Sequence, residues 1–354
     1  MSLHPYSQTL QNWYHIHKRD LPWRDISDPY LIWISEIILQ QTRVAQGMDY
    51  YLRFVTRFPN VLSLAKAEEQ EVLKYWQGLG YYSRARNLHK AARQIAENYG
   101  GQFPHVHTDI LKLSGIGIYT AAAIASFAYG QPYAVVDGNV YRVLSRLFGI
   151  DSPIDSPRGQ KEFAALAAEL LDSENAGTHN QAIMEFGALQ CVPVNPDCEI
   201  CPLKDSCVAL KTASVDKLPV KERKTKIKAR YFNYLFIKHE DQTYLQKRES
   251  QDIWKNLYEF PLIESEKLFT IDELIEQDEF KTLFPDASAL KISSTYYDFK
   301  HILTHRHIFA RFFMIETDKT NSYYKKFGKT LIDNLDHLPI SRLTELFLEK
   351  IFTR

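Results

Sequence analysis

Residues 191–207 read CVPVNPDCEICPLKDSC and contain all four cysteines of a 354-residue chain. Their spacing is Cys191-x6-Cys198-x2-Cys201-x5-Cys207. The amino terminus, MSLHPYSQTLQNWYHIHKRDLPW, has neither the apolar core nor the small-residue cleavage site of an export signal, so disulfides are not expected. Four thiols packed this closely read as a metal site. Thiolate sulfur suits an iron–sulfur cluster and zinc alike, but zinc sites usually come as two C-x2-C pairs, and only one short pair is present. With every ligand supplied by the chain no coordination position stays open, so the expected role is structural.

Upstream of the cysteines the pattern is helical almost throughout. Asp28-Pro29 is a helix start, an N-cap followed by proline in the first turn. Residues 30–41, YLIWISEIILQQ, are apolar nearly all round and predict a buried helix. Residues 83–98 alternate apolar and basic positions at helical spacing, as a half-exposed helix would. Residues 120–129, TAAAIASFAY, suit close helix packing, and 161–171 and 180–189 continue the helical theme. Downstream of Lys211 the character changes. Residues 231–237, YFNYLFI, and 243–246 predict a strand pair around the turn 239–242; HIFARFFMI, 307–315, predicts another strand, and 341–352 a helix.

The predicted organisation is an all-α domain over 1–211, a basic linker over 212–229 and a smaller α+β domain over 230–354. No run of eighteen apolar residues predicts a membrane span. Lys plus Arg and Asp plus Glu both number 43, which argues weakly against a nucleic-acid binder. The charge is unevenly spread, however: residues 211–230 carry eight Lys or Arg and two acids. That stretch reads equally as a solvated linker or a track for nucleic-acid phosphates.

Two acids stand out. Glu36 lies between Ile34 and Ile37 in the apolar helix; burial raises a carboxyl pKa, and a glutamic acid still protonated near neutral pH is a general acid. The plainer alternative is a minor polar stripe with Ser35 and Gln40. Asp137 ends PYAVV, 132–136, and opens the helix GNVYR, 138–142. It is an N-cap, and the helix dipole there is expected to lower its pKa and keep it ionised. Acids pushed in opposite directions suit cleavage of a glycosidic bond, one protonating the leaving group and the other facing the cationic sugar. Between them, Leu113-Ser114-Gly115-Ile116-Gly117 precedes a helix. Gly115 and Gly117 both permit positive φ, and their N–H groups at a helix start form an anion site.

These motifs carry a family resemblance. The cysteine spacing is that of the cluster loop of the endonuclease III superfamily, which holds a 4Fe–4S cluster. LSGIGIYTAAA, 113–123, resembles the helix-hairpin-helix of base-excision glycosylases, with Ser114 where proline is more usual. LPWR (21–24), SEIILQQT (35–42), GLGYYSRARNL (78–88) and VDGN (136–139) look like MutY-type adenine DNA glycosylases. The resemblance implies a helix-hairpin-helix glycosylase domain with an iron–sulfur cluster loop, followed by a Nudix-like domain that carries LQKR (245–248) and IWKNLYEFP (253–261). A glutamate-rich Nudix box is missing after Pro261, so recognition is expected there, not triphosphate hydrolysis. The resemblance further implies a monofunctional enzyme that removes adenine opposite 8-oxoguanine or guanine in double-stranded DNA, acting as a cytoplasmic, nucleoid-associated monomer.

On the carried-over roles, Glu36 donates a proton to adenine N7 and Asp137 stabilises the cationic sugar, with Tyr119 and Asn139 in support. Trp23, Arg24, Leu39 and Gln181 surround the flipped base; Gln181 stands where relatives often carry glutamate. Gln41, Thr42, Leu79 and Tyr81 fill the gap and hold the opposite base, Gly115 and Gly117 hold a phosphate, and Thr304 and His305 meet the lesion. Without the resemblance, Leu79 and Tyr81 read as loop anchors; metal ligation by the histidines from His301 to His307 is the minor reading, because the neighbouring pattern is strand-like and no carboxylate joins them. Tyr119 occupies the position at which bifunctional relatives carry a Schiff-base lysine, so no efficient strand-cleaving step is expected.

Overall fold

The run PYLIWISEIIL forms the helix Pro29–Leu39, capped by the Asp28 carboxylate, which accepts from the Tyr30 and Leu31 N–H groups. Its residues are buried on every side because it runs through the middle of a helical unit. This is seen in a computed structural model that describes residues 4–222, 227–249, 251–286, 290–318 and 327–352. The chain divides into two compact units, Met1–Lys66 with Asn87–Lys224, and Ala67–Arg86 with Thr225–Arg354.

The first unit is helical among the described residues. The apolar helix packs against Ile118–Tyr129 and Val44–Arg57, and Ala176–Leu189 packs against Pro5–His17, Gly138–Phe148 and Ile118–Tyr129. Alanines 121, 122, 123 and 125 are all buried, and their small side chains let the helix Ile118–Tyr129 approach Pro29–Leu39 closely. Gly187 has a similar function: a Cβ there would lie 2.6 Å from the Asn139 Cβ. The sequence boundary at Lys211 runs on in space to Glu222. Arg146 donates to the Val215 and Leu218 carbonyls, Ile154 N–H to Val220 and Glu222 N–H to Asp155, so these residues pack on the first unit. Arg223 to Lys226 of the basic linker lie outside the described residues.

The second unit is built on a mixed sheet. Strand β1 is Lys228–His239, β2 Gln242–Lys247, β3 Tyr258–Glu259, β4 Leu262–Ser265, β5 Leu290–Ile302, β6 Arg306–Thr317 and β7 Gly328–Leu331. The order is β3-β2-β1-β6-β5, with β4 on β1 and β7 on β2; β1 and β6 are parallel, the others antiparallel. Six consecutive residues of β1 are buried because both faces of the sheet are covered. Leu235 and Ile237 meet Leu274, Phe280 and Phe313 on one face. Phe236 meets Phe260 and Phe347 of the helix Arg342–Phe352 on the other.

Residues 67–86, placed by sequence in the first domain, group with the second unit by their contacts. Gln77 accepts from the Ile340 N–H and donates to Glu345, Lys74 donates to the Leu338 carbonyl, and Arg86 donates to the Lys255 carbonyl. Tyr258 and Asn256 reach Gln70 and Glu69.

Candidate active site

Within the first unit, a cavity of about 910 Å³ opens between the helices Pro29–Leu39, Ile118–Tyr129, Gly138–Phe148 and Ala176–Leu189. Glu36 and Asp137 both line it, as do Tyr119 and Asn139. Trp23, Arg24, Leu39, Gln41, Thr42 and Gln181 line it too, so ten sequence-predicted residues come together at one place. Trp23 packs edge-on to Tyr51 with ring centroids 5.0 Å apart. Gln41 holds φ at 56°, a left-handed conformation that costs a non-glycine residue about 1 kcal/mol or more and turns the chain along the cavity rim.

Burial pushes Glu36 up to about 7. Its Oε2 accepts one hydrogen bond, 2.7 Å from the Tyr119 hydroxyl, and no salt bridge reaches it among the described residues. Asp137 caps the helix Gly138–Phe148 as predicted: it accepts from the Asn139 N–H at 2.9 Å, the Val140 N–H at 2.8 Å and the Asn139 amide at 2.8 Å. Its pKa is nevertheless raised, because burial outweighs these donors. The expectation that the two acids are pushed in opposite directions is therefore corrected: both move up. Three donors favour the carboxylate of Asp137 and a single phenol serves Glu36, so Asp137 is the first to lose its proton.

Several residues that shape the site are absent from the sequence reading. Arg142 donates to Asn139 Oδ1 at 2.9 Å and to the Gly187 and Cys191 carbonyls, which turns the Asn139 amide nitrogen towards Asp137. Glu185, 1% exposed, receives Arg19 and Arg24; burial opposes its charge, but those guanidiniums hold its pKa below the usual carboxylate range. An acid inside AIMEFGAL is the same kind of signal that marked Glu36.

The four cysteines line one cavity of about 30 Å³ beside Arg146. Arg146 is 3% exposed; it donates to the Val192 and Pro193 carbonyls and lies 3.5 Å from the Cys191 sulfur. Among the described residues no three Cys, His, Asp or Glu side chains converge tightly enough to share a single ion. Four thiols around a common space, with a buried cation beside them, fit a multi-iron cluster of net negative charge better than a lone zinc.

In the hairpin before the helix Ile118–Tyr129, Gly115 has φ of 77°, and a Cβ there would meet Asn87 at 2.6 Å. Gly117 differs from expectation: it is extended, with φ of −97°, and a Cβ would meet nothing within 4 Å. It serves as the N-cap of an open helix start, next to Ile118, which is 80% exposed.

In the second unit Leu79, Tyr81, Thr304 and His305 line a cavity of about 580 Å³. Tyr81 sits at positive φ between Gly80 and the helix Ser83–Asn98, and its hydroxyl bonds that of Thr304. Leu79 is buried at the loop base. Thr304 and His305 form the exposed tip of the β5–β6 hairpin, closed by paired backbone hydrogen bonds between Leu303 and Arg306. Asp252 anchors that hairpin. Its carboxylate receives Arg230, Arg248 and Arg306; burial opposes its charge, but the Ile253 N–H and the guanidiniums hold its pKa at about 2. His301 packs against Trp254 at 5.8 Å between ring centroids, and no metal-ligating triad forms around it among the described residues.

Three family models match the chain. Residues 34–168 match the HhH-GPD superfamily base excision DNA repair protein, 191–207 the iron-sulfur binding domain of endonuclease III, and 233–350 a NUDIX domain. The chain thus carries an iron–sulfur cluster loop of the endonuclease III type. It is 37% identical over 306 residues to an adenine DNA glycosylase of Buchnera aphidicola, covering 86% of this chain and 87% of that one. Among solved structures, a thermostable thymine-DNA glycosylase is 32% identical with a TM-score of 0.55, over 58% of this chain and 95% of that one. An endonuclease III–DNA complex, at 22% identity and a TM-score of 0.51 over 59% of this chain and 96% of that one, shares the fold. The buried acid pair, the cluster loop and the length of the match converge: the chain belongs to the adenine DNA glycosylase family.

Proposed function

We propose that this enzyme removes adenine mispaired with 8-oxoguanine, or with guanine, from double-stranded DNA by acid-assisted hydrolysis of the N-glycosidic bond. One observation carries the reading: Glu36 is a buried acid half-protonated near neutral pH, in a cavity large enough for a purine and shared with Asp137. The base must leave the stack to reach it, which costs a few kcal/mol and least for a mispair. Glu36 gives its proton to adenine N7, the bond from N9 to the sugar breaks, and adenine departs neutral. Asp137 faces the cationic sugar until water adds to it, and the proton that water loses returns to the Glu36 carboxylate. Tyr119 holds Glu36 and Asn139 holds Asp137. Trp23, Arg24, Leu39 and Gln181 surround the base. No lysine lines the cavity among the described residues, which supports hydrolysis without an efficient strand-cleaving step.

Gln41, Thr42, Leu79 and Tyr81 fill the gap in the duplex; Thr304 and His305 read the lesion, and Gly115 and Gly117 hold a phosphate through backbone N–H groups. Cys191, Cys198, Cys201 and Cys207 hold a 4Fe–4S cluster, which when bound ties the loop together through four thiolate bonds and supplies no open coordination site. We place the enzyme on chromosomal DNA in the cytoplasm, as a monomer. No helix among the described residues is long and apolar enough to cross a membrane. The test is a duplex with adenine opposite 8-oxoguanine, incubated with wild type and with Glu36→Gln. Base release by wild type and almost none by the variant is expected; binding without release by either protein rejects the proposal.

A further inference from the structure

The Gln181 amide is held in one orientation by a chain of donors that begins at a buried carboxylate. Glu185 Oε2 accepts from Arg24 Nη2 at 2.7 Å, and Arg24 Nη1 donates to the Tyr14 hydroxyl oxygen at 2.6 Å. A guanidinium has no acceptor, so at that contact the phenol oxygen accepts. Its single hydrogen is then free for the next contact, 2.6 Å away at Gln181. The group facing a donor at that distance must be an acceptor, which fixes Oε1 towards Tyr14 and turns Nε2 the other way. No acceptor among the described residues takes the Nε2 protons, and Gln181 lines the cavity. Arg19 secures the start of the chain, holding both oxygens of Glu185 at 2.6–2.8 Å.

We propose that Tyr14, held by Arg24, is a positioning residue that makes Gln181 a hydrogen-bond donor towards the base, and that this donor selects a purine whose N1 is an acceptor. Adenine offers a bare N1; guanine carries a hydrogen there and meets the amide with donor against donor. The inference rests on the adenine reading above. A glutamate at position 181 would give the opposite polarity, accepting from Tyr14 and offering an acceptor to the base. Gln181 therefore commits this chain to the ring nitrogen, not to the exocyclic amine.

The experiment compares base release from duplexes carrying adenine or 1-deazaadenine, in which N1 is replaced by C–H, opposite 8-oxoguanine. Enzyme is in excess, and the readout is the ratio of the two rates for each protein. Comparing ratios between proteins cancels the intrinsic lability of each nucleoside. Loss of one neutral hydrogen bond predicts that the wild-type ratio falls about three- to tenfold in Tyr14→Phe, where the amide is free to turn. Gln181→Glu keeps the shape, removes the donor and is expected to lower the ratio equally, so a poorly folded Tyr14→Phe does not decide the matter. A purely structural Tyr14 slows both substrates alike and leaves the ratio unchanged; an unchanged ratio in both variants overturns the proposal. Wild type that releases neither base overturns the adenine reading instead.

Discussion

Glu36 and Asp252, one acid from each cavity, carry charge in opposite ways. In the first, Glu36 is buried with a phenol as its hydrogen-bonding partner, and its acidity is weakened to about 7. In the second, Asp252 is surrounded by Arg230, Arg248 and Arg306, and its acidity is strengthened to about 2. A group that must give away a proton keeps it only where burial outweighs nearby cations, as it outweighs Arg24 at Glu36. A group that only holds a hairpin in place gains from each added cation. The contrast separates a place where protons move from a place where shape is held.

The largest test is removal of the acid. Glu36→Gln is expected to slow base release by about a thousandfold, the scale of a positioned general acid, in a single-turnover assay. A loss under tenfold would erase the distinction between the cavities. Next comes pH. Because Glu36 must carry its proton and Asp137 must have lost its own, the rate is expected to fall about tenfold for each unit above pH 7, and to fall again at acid pH as Asp137 is protonated, measured with enzyme in excess. The same shift makes Glu36 a stability cost. Between its unfolded pKa and about 7 the unfolded chain releases the proton while the folded one keeps it, so stability falls across that window by on the order of 3 kcal/mol. Glu36→Gln should abolish that decline in thermal melts.

Asp252→Asn probes the other cavity. It leaves three guanidiniums facing each other, at an expected cost of about 2 kcal/mol, less than a fully buried pair because the carboxylate is 21% exposed. Asp252 has a depressed pKa, so its contribution is present above the unfolded value near 4 and is lost as pH falls towards 2. The stability gap between wild type and variant, from urea melts, should close over that range. Adenine release from the variant at neutral pH should stay within a few-fold, while its preference for 8-oxoguanine over guanine drops. The smallest effects belong to the hairpin glycines. Gly115→Ala forces a Cβ against Asn87 at positive φ and should cost about 1–3 kcal/mol and weaken duplex binding; Gly117→Ala, extended and open, should cost under about 0.5 kcal/mol.

Local chemistry was legible in the sequence wherever one short segment carried it. The helix Ser83–Asn98, the Asp137 cap and the buried setting of Glu36 are properties of a few adjacent residues, and they stand as read. Strand β5 is not legible in LKISSTYYDFKHI because it lies at the sheet edge, has no fully buried residue and breaks register between Ile292 and Tyr296, which interrupts the alternation that marks a strand. The direction of the Asp137 shift was misjudged because capping is visible locally and depth of burial is not. The chain from Glu185 through Arg24 and Tyr14 joins residues more than 150 positions apart, and no spacing rule reaches that far.

Residues 67–86 fold with Thr225–Arg354, yet they leave the ribosome well over a hundred residues earlier. At typical rates of synthesis that is a delay of roughly seven to thirty seconds. During it, Lys74, Gln77 and Arg86 wait for their partners Leu338, Ile340, Glu345 and Lys255. An enzyme truncated after Glu222 would leave those hydrogen-bonding partners unmet for life.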